Sequence, residues 1–339
     1  MLLWQLKQRG IDVDARAWHP LLAAQQQALR HYLLLKAAYQ SITRALAHAE
    51  IPTLTLKGFA LAHAVYPQPH LRPMLDLDLL VPYAQRTDAL ACMQNLGYAI
   101  DQPHQSAGVQ QIFHHYHLRQ RVAVELHYRL IPLRSQLLMP EQMEWFWSQT
   151  RVLAYDDLRL TALTPEADLL YLCAHCILMH GEFSFFLQRF LDVHLLIQKN
   201  PQLDWNMVVE RAVTLRWTFA VARTLELARD YFGTTLDNAI LQELASRRPA
   251  AQDLAHASHI HPHSTRLEAT RQLMRGMNAR ERWIWFWGSI LPTPQFMRWR
   301  YEFHSNWLLP FFYFWRWGII AADAIKTMVK WARAKFLAW

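Results

Sequence analysis

The chain has 339 residues, 53% hydrophobic and 18% charged, with only nine glycines, which excludes collagen-like, coiled-coil and disordered classes. What remains is a mostly globular protein of one large or two ordinary domains. Thirty-five Lys and Arg against 27 Asp and Glu leave +8, a balance that favours phosphate-rich ligands or anionic lipid without choosing between them. Three cysteines, Cys92, Cys173 and Cys176, are too few to staple a secreted fold, so a reducing, cytoplasmic setting is expected. Met1 to Gly10 lacks the apolar run and small-residue cleavage site of a signal peptide.

In chain order, Leu and Ala recur at helical spacing from Pro20 to Glu50, so residues 1–50 read as an N-terminal helical segment ended by Ile51-Pro52. Residues 51–150 read as an α/β core. Thr53 to Leu56 is a short strand broken at Gly58, and Phe59 to Tyr66 a short helix. Met74 to Val81 is a strand, and Thr87 to Leu96 a helix closed by Gly97. Gln111 to Leu118 and Arg121 to Leu130 complete the strands of this part. Residues 151–246 read as a helical domain, with Thr164 capping a helix that has Pro165 in its first turn and continues to Met179. Leu187 to Ile197, Met207 to Phe232 and Asp237 to Ser246 carry further helical stripes. Residues 247–282 are a polar, His-rich linker, and 283–339 hold nine of the 15 tryptophans.

The chemistry is concentrated in LRPMLDLDLLVP. Alternation puts Asp76 and Asp78 on one strand face, about 6.6 Å apart at roughly 3.3 Å per residue. Like charges buried side by side call for a cation, and hard carboxylate oxygens suit Mg²⁺ or Mn²⁺. In RVAVELHYRL, alternation puts Ala123, Glu125 and His127 on one face, so Glu125 is a candidate third carboxylate. Upstream, Lys57-Gly58 sits where a strand turns into a helix, a place whose free N–H groups and dipole favour phosphate. Lys57 also reads as a solvated strand end, and Arg72 as a loop cation paired with an acid.

A glycine turn opening a helix, a D-x-D strand and a later acidic strand residue resemble the nucleotidyltransferase superfamily of the DNA polymerase β type. The resemblance is closer to one bacterial branch, the uncharacterised nucleotidyltransferases, through Lys57-Gly58, Tyr66, Arg72-Pro73, Asp76-x-Asp78, Gly97-Tyr98 and Glu125-x-His127. It extends over about residues 20 to 235, with Pro165, His175, His180, Arg189, Asp192 and Asp204-Trp205 at family-like positions. Two departures stand out: Lys-Gly-Phe replaces Gly-Gly or Gly-Ser, and Glu replaces the commoner third Asp. The resemblance implies an α+β fold, a nucleotidyltransferase-like mixed sheet with flanking helices followed by a mostly helical domain. It implies Asp76, Asp78 and Glu125 as catalytic and metal-holding residues, and Lys57, Gly58, Arg72 and His127 on the nucleotide. The implied reaction moves an NMP group from an NTP to an acceptor hydroxyl or phosphate. The acceptor is open, with a small molecule, peptide or glycan precursor favoured over nucleic acid, because no basic stripe with interleaved aromatics lies outside the tail. The altered glycine turn motivates a second reading, a non-catalytic nucleotide-binding or membrane-associated adaptor.

Histidines His114, His115 and His117 cluster near one strand, where His115 and His117 share a face, yet no Cys or His spacing matches a zinc motif. The pair Cys173 and Cys176 reads as buried thiols inside a helix. His180, Arg189 and Asp192 either reach the cleft or serve as a structural ion pair and cap. In the C-terminal region, SNWLLPFFYFW followed by Arg316 falls short of a spanning helix. Beyond it, Ile325, Met328, Val329, Ala332 and Phe336 form an apolar stripe opposite Lys326, Lys330 and Arg333. That stripe suits either an anionic membrane interface, peripheral at the inner face, or docking onto the protein's own core.

Overall fold

The computed structural model describes residues 2–12, 14–112, 114–131, 140–179, 187–247, 274 and 277–336. His180, most of the 247–282 linker and His259, His261 and His263 lie outside them. A seven-stranded mixed sheet, in the order β3-β4-β5-β2-β1-β7-β6, organises the chain. Its strands are β1 (Leu54–Leu56), β2 (Asp76–Leu80), β3 (Ala99–Ile100), β4 (His115–Arg119), β5 (Ala123–His127), β6 (Thr150–Tyr155) and β7 (Leu158–Leu163). At the centre β5 pairs parallel with β2, β2 antiparallel with β1, and β1 parallel with β7.

Strand alternation distributes the side chains into two cores. Leu77 and Leu79 of β2, Val124 and Leu126 of β5, and Tyr116 and Leu118 of β4 pack under two helices, α2 (Ala15–His48) and α4 (Arg86–Asn95). Leu80 and the β1 residues Leu54 and Leu56 join the opposite core, built with the helical part. The acidic face of β2 is therefore the face that looks towards the helical part. Helix α1 (Leu2–Gln8) precedes α2, which starts five residues before the expected Pro20 because Asp14 caps it through the Arg16 N–H. Pro20 is tolerated so close to that end, where few hydrogen bonds are lost.

Three sequence expectations need correction. Residues 150–163 are a β-hairpin completing the sheet, whereas the 151–246 segment was expected to be helical. Its turn uses Asp156 at φ +50°, and Asp157 is pinned to α2 by Lys36 at 2.5 Å and Gln40 at 3.0 Å. The expected Gln111–Leu118 strand begins only at His115, preceded by helix α5 (Ala107–Ile112). The single stripe from Met207 to Phe232 is two helices, Trp205–Thr214 and Thr218–Phe232, because Arg216 at φ +58° breaks the run.

Thr164 stands at the N-cap of Pro165–Ala174 but makes no capping hydrogen bond through its side chain. Asp204 does cap the next but one helix, accepting from the Met207 N–H. Cys173 and Cys176 are free and buried, as expected, and burial pushes the Cys176 thiol up to about 12.

At the C-terminal end, the helices Ala279–Ile290, Pro294–Tyr301 and Leu309–Phe336 form a small unit. Ala279–Ile290 opens with a capping box of Asn278 and Glu281 and lies so close to α5 that a Cβ on Gly288 would sit 2.5 Å from Val109. Trp317 and Arg316 then tie the long helix to the Ile290 and Ser289 carbonyls, each at 2.8 Å. The stretch Asn306–Lys326 is long and apolar enough to cross a membrane by length and composition, which the sequence reading placed short of a span. Ile325, Met328 and Val329 are exposed, so this part of the stripe does not dock on the core.

Candidate active site

Two neighbouring registers build the site. Asp76 pairs with Ala123 and Asp78 with Glu125 across β2 and β5, while His117 faces Glu125 and His115 faces His127 across β5 and β4. Alternation then sets Asp76, Asp78, Glu125, His127, His115 and His117 on one sheet face. The junction of β1 with helix α3 (Lys57–Ala64) lies beside them, because Leu56 pairs with Asp78.

Lys57 occupies the centre of the acids. Its Nζ is 2.6 Å from Asp78 Oδ1 and 3.4 Å from Glu125 Oε2, and its side chain is only 13% exposed. Burial alone would strip its proton, but Asp78 first, then Tyr171 and Glu125, hold it charged, and the net direction is up. Its backbone takes φ +43°, a left-handed conformation that costs a non-glycine residue about 1 kcal/mol. The strained residue of this turn is therefore Lys57. Gly58 is needed for space: a Cβ there would lie 2.7 Å from the Arg72 guanidinium.

His127 occupies a different place from the nucleotide contact expected of it. Its ring is fully buried, and Nε2 lies 3.1 Å from both Asp78 Oδ1 and Glu125 Oε2. Carboxylates only accept, so Nε2–H donates to both. Burial and Lys57 push its pKa down, the two carboxylate hydrogen bonds outweigh them, and the net direction is up. Glu125 moves the other way: burial alone would raise it, but His127 and Lys57 hold it well below the usual carboxylate range.

Arg72, also expected on the nucleotide, forms a bidentate pair with buried Asp192 of the helix Leu187–Lys199, Nε to Oδ1 at 3.0 Å and NH2 to Oδ2 at 2.7 Å. Tyr66 donates to the same carboxylate at 2.6 Å. Of the two sequence readings for Arg72 and Asp192, the ion pair is the one the geometry contains. It ties the loop before β2 to the helical part.

Asp76 is the acid left over. Among the described residues no Lys, Arg or His comes within ion-pair distance of it, and its carboxyl is raised to about 7, by burial first and then by repulsion from Asp78 and Glu125. The donor chemistry fits a hard divalent ion, which relieves that repulsion. Single donor atoms within 4.8 Å of one another come, among the described residues, from Asp78, Glu125 and His127, from His115, His117 and Glu125, and from His114, His115 and His127. The histidine wall is what the spacing alone does not single out. Burial pushes His115 down to about 2 and lowers His114 and His117, so all three rings are neutral at ordinary pH. The signal that finds it is cross-strand: H-x-H on β4 faces E-x-H on β5.

A mixed sheet with paired acids on a central strand, beside the strand-to-helix junction that carries Lys57-Gly58, is the α+β nucleotidyltransferase-like fold. More narrowly, the model of a family described as uncharacterised nucleotidyltransferases matches residues 2–233, and the chain belongs to that family. No curated protein gives a significant match.

Proposed function

We propose that the protein transfers a nucleotidyl group from an NTP to an acceptor hydroxyl or phosphate, with Asp76, Asp78 and Glu125 holding divalent metal. Family membership supports nucleotidyl transfer in general. The observation that carries the finer reading is the facing of Asp78 and Glu125 across parallel strands, with Asp76 two residues along and raised to about 7 by burial and then by these two acids. Mg²⁺ or Mn²⁺, when bound, supplies charge neutralisation for the triphosphate and activation of the acceptor oxygen. The chain's own residues supply the frame. His127 fixes both carboxylates through one N–H, and Lys57 balances their charge. Gly58 makes room for the Arg72 guanidinium, and Arg72 with Asp192 fixes the loop that leads into β2. Glu125 positions metal or takes the acceptor proton.

Incubation of the full chain with Mg²⁺, each labelled NTP and candidate acceptors tests this reading. Asp76→Asn with Asp78→Asn should abolish metal-dependent NTP binding by calorimetry. Glu125→Gln should spare binding and cut transfer at least about 10²-fold. Unchanged NTP affinity in the double variant overturns the site.

One observation favours the non-catalytic reading: an ammonium already sits between Asp78 and Glu125. Metal-independent NTP binding without label transfer is its signature. We further propose that the C-terminal helices rest on an anionic membrane surface at the cytoplasmic face. Support comes from exposed Trp307, Phe311, Phe314, Trp315, Met328 and Val329, together with Lys326, Lys330 and Arg333 on the same helix or its approach.

A further inference from the structure

Strands β4 and β5 bring a donor set together that differs in kind from the acids of β2. His115 Nε2 lies 2.7 Å from His117 Nε2, and Glu125 Oε1 lies 3.5 Å from His117 Nδ1 and 4.0 Å from His115 Nε2. One donor atom from each of the three residues falls within 4.8 Å of the other two. A single ion at about 2.0–2.2 Å from each ligand closes that spacing with small side-chain movements. Two imidazole nitrogens and one carboxylate oxygen are a borderline-soft set that suits zinc-class cations, whereas Mg²⁺ takes oxygen ligands and keeps its waters.

The surroundings are those of a metal site as well. Only one proton fits between the two facing ring nitrogens, so one of them presents a lone pair to its neighbour. The Nδ1 atoms of His114, His115 and His127 are buried without a hydrogen-bond partner, so the His115–His117 contact is the one bond between rings of this wall among the described residues. Glu125 is oriented from behind: His127 Nε2–H binds its other oxygen, Oε2, at 3.1 Å, the kind of outer contact that fixes a ligating carboxylate. Access remains, because the side chains of His117 and Glu125 are 27% and 21% exposed.

We propose that His115, His117 and Glu125 bind one zinc-class divalent transition-metal ion, at a nitrogen-rich site that shares Glu125 with the carboxylate cluster. The site does not depend on nucleotidyl transfer, since its readout is metal binding and an inactive chain that binds through His117 sustains it. The test is titration of the chelator-treated full-length protein with Co²⁺ in excess Mg²⁺, followed by visible absorption. One Co²⁺ per chain is expected, with the intense band of a low-coordinate, nitrogen-ligated ion that Zn²⁺ displaces and Mg²⁺ does not. His117→Gln should weaken binding by at least the roughly 10–100-fold that loss of an outer-shell partner costs. Because His117 is partly exposed, that variant should keep the wild-type circular dichroism and melting profile, and it carries the test if His115→Asn fails to fold. Asp76→Asn should bind Co²⁺ as the wild type does. The absence of the band, its loss on adding Mg²⁺, or an Asp76→Asn defect as large as that of His117→Gln would each overturn the proposal.

Discussion

Asp76→Asn isolates the electrostatic strain in the carboxylate cluster. In the folded chain the Asp76 carboxyl titrates at about 7, pushed up by burial first and then by Asp78 and Glu125, against an ordinary value of 3.8. Between pH 5 and pH 7 the unfolded chain has already lost this proton and the folded chain still holds it, so stability falls as pH rises. At 1.36 kcal/mol per pH unit, the loss over that interval is about 3 kcal/mol, and it stays at that level to pH 8. Asparagine has no proton to lose. Urea unfolding of wild type and Asp76→Asn at pH 5 and pH 8, without divalent ions, reads the difference directly. The variant should be more stable by about 1.5 kcal/mol at pH 5 and by about 4 kcal/mol at pH 8, so that the gap widens by about 3 kcal/mol between the two. Saturating Mg²⁺ should close that gap by stabilising the wild type alone, since a bound cation removes the repulsion that asparagine also removes. Stability profiles that run parallel from pH 5 to pH 8, within about 0.5 kcal/mol, would refute the reasoning and leave Asp76 as a solvated acid with no part in the cluster.

Two further outcomes follow from the contacts around the site. Asp192→Asn leaves the Arg72 guanidinium buried without its counter-charge and should cost about 3–5 kcal/mol in denaturant unfolding, whereas Tyr66→Phe removes one hydrogen bond and should cost about 1 kcal/mol; equal effects would place the weight on the hydrogen bond. At the C-terminal end, the full chain should pellet with anionic liposomes and be released by salt, since each basic residue near the surface contributes about 1 kcal/mol. Phe314→Ala with Trp315→Ala should weaken that binding at an unchanged melting temperature, because the side chains are 68% and 56% exposed; a drop in melting temperature with unaltered liposome binding would make them packing residues.

What the sequence makes legible here is whatever depends on neighbours along the chain. DLDLL alternates, so the shared face of Asp76 and Asp78 can be read directly, and the same holds for Glu125 and His127 in AVELH. What depends on pairing between strands cannot be read this way. Leu56 lies opposite Asp78, and Asp78 opposite Glu125, only because β2 is inserted between β1 and β5, and that insertion is what carries Lys57 into the acids. The β6–β7 hairpin escapes for a related reason: its turn is Asp156-Asp157 instead of Asn-Gly, and its hold on the core comes from the pairing of β7 with β1, where Ala162 faces Thr55, and from buried Leu158, Leu160 and Leu163. Gly58 misleads by its type, since glycine before a helix suggests a flexible phosphate turn, whereas the left-handed angle belongs to Lys57 and the missing Cβ makes room for Arg72. The chemistry of the cluster follows the same division. Its three carboxylates can be named from local spacing, but Glu125 is held ionised by His127 and Lys57 while Asp76, two residues from Asp78, is pushed towards neutrality. Acids of nearly equal intrinsic strength on one sheet face thus separate in charge according to which of them the cations of other elements reach.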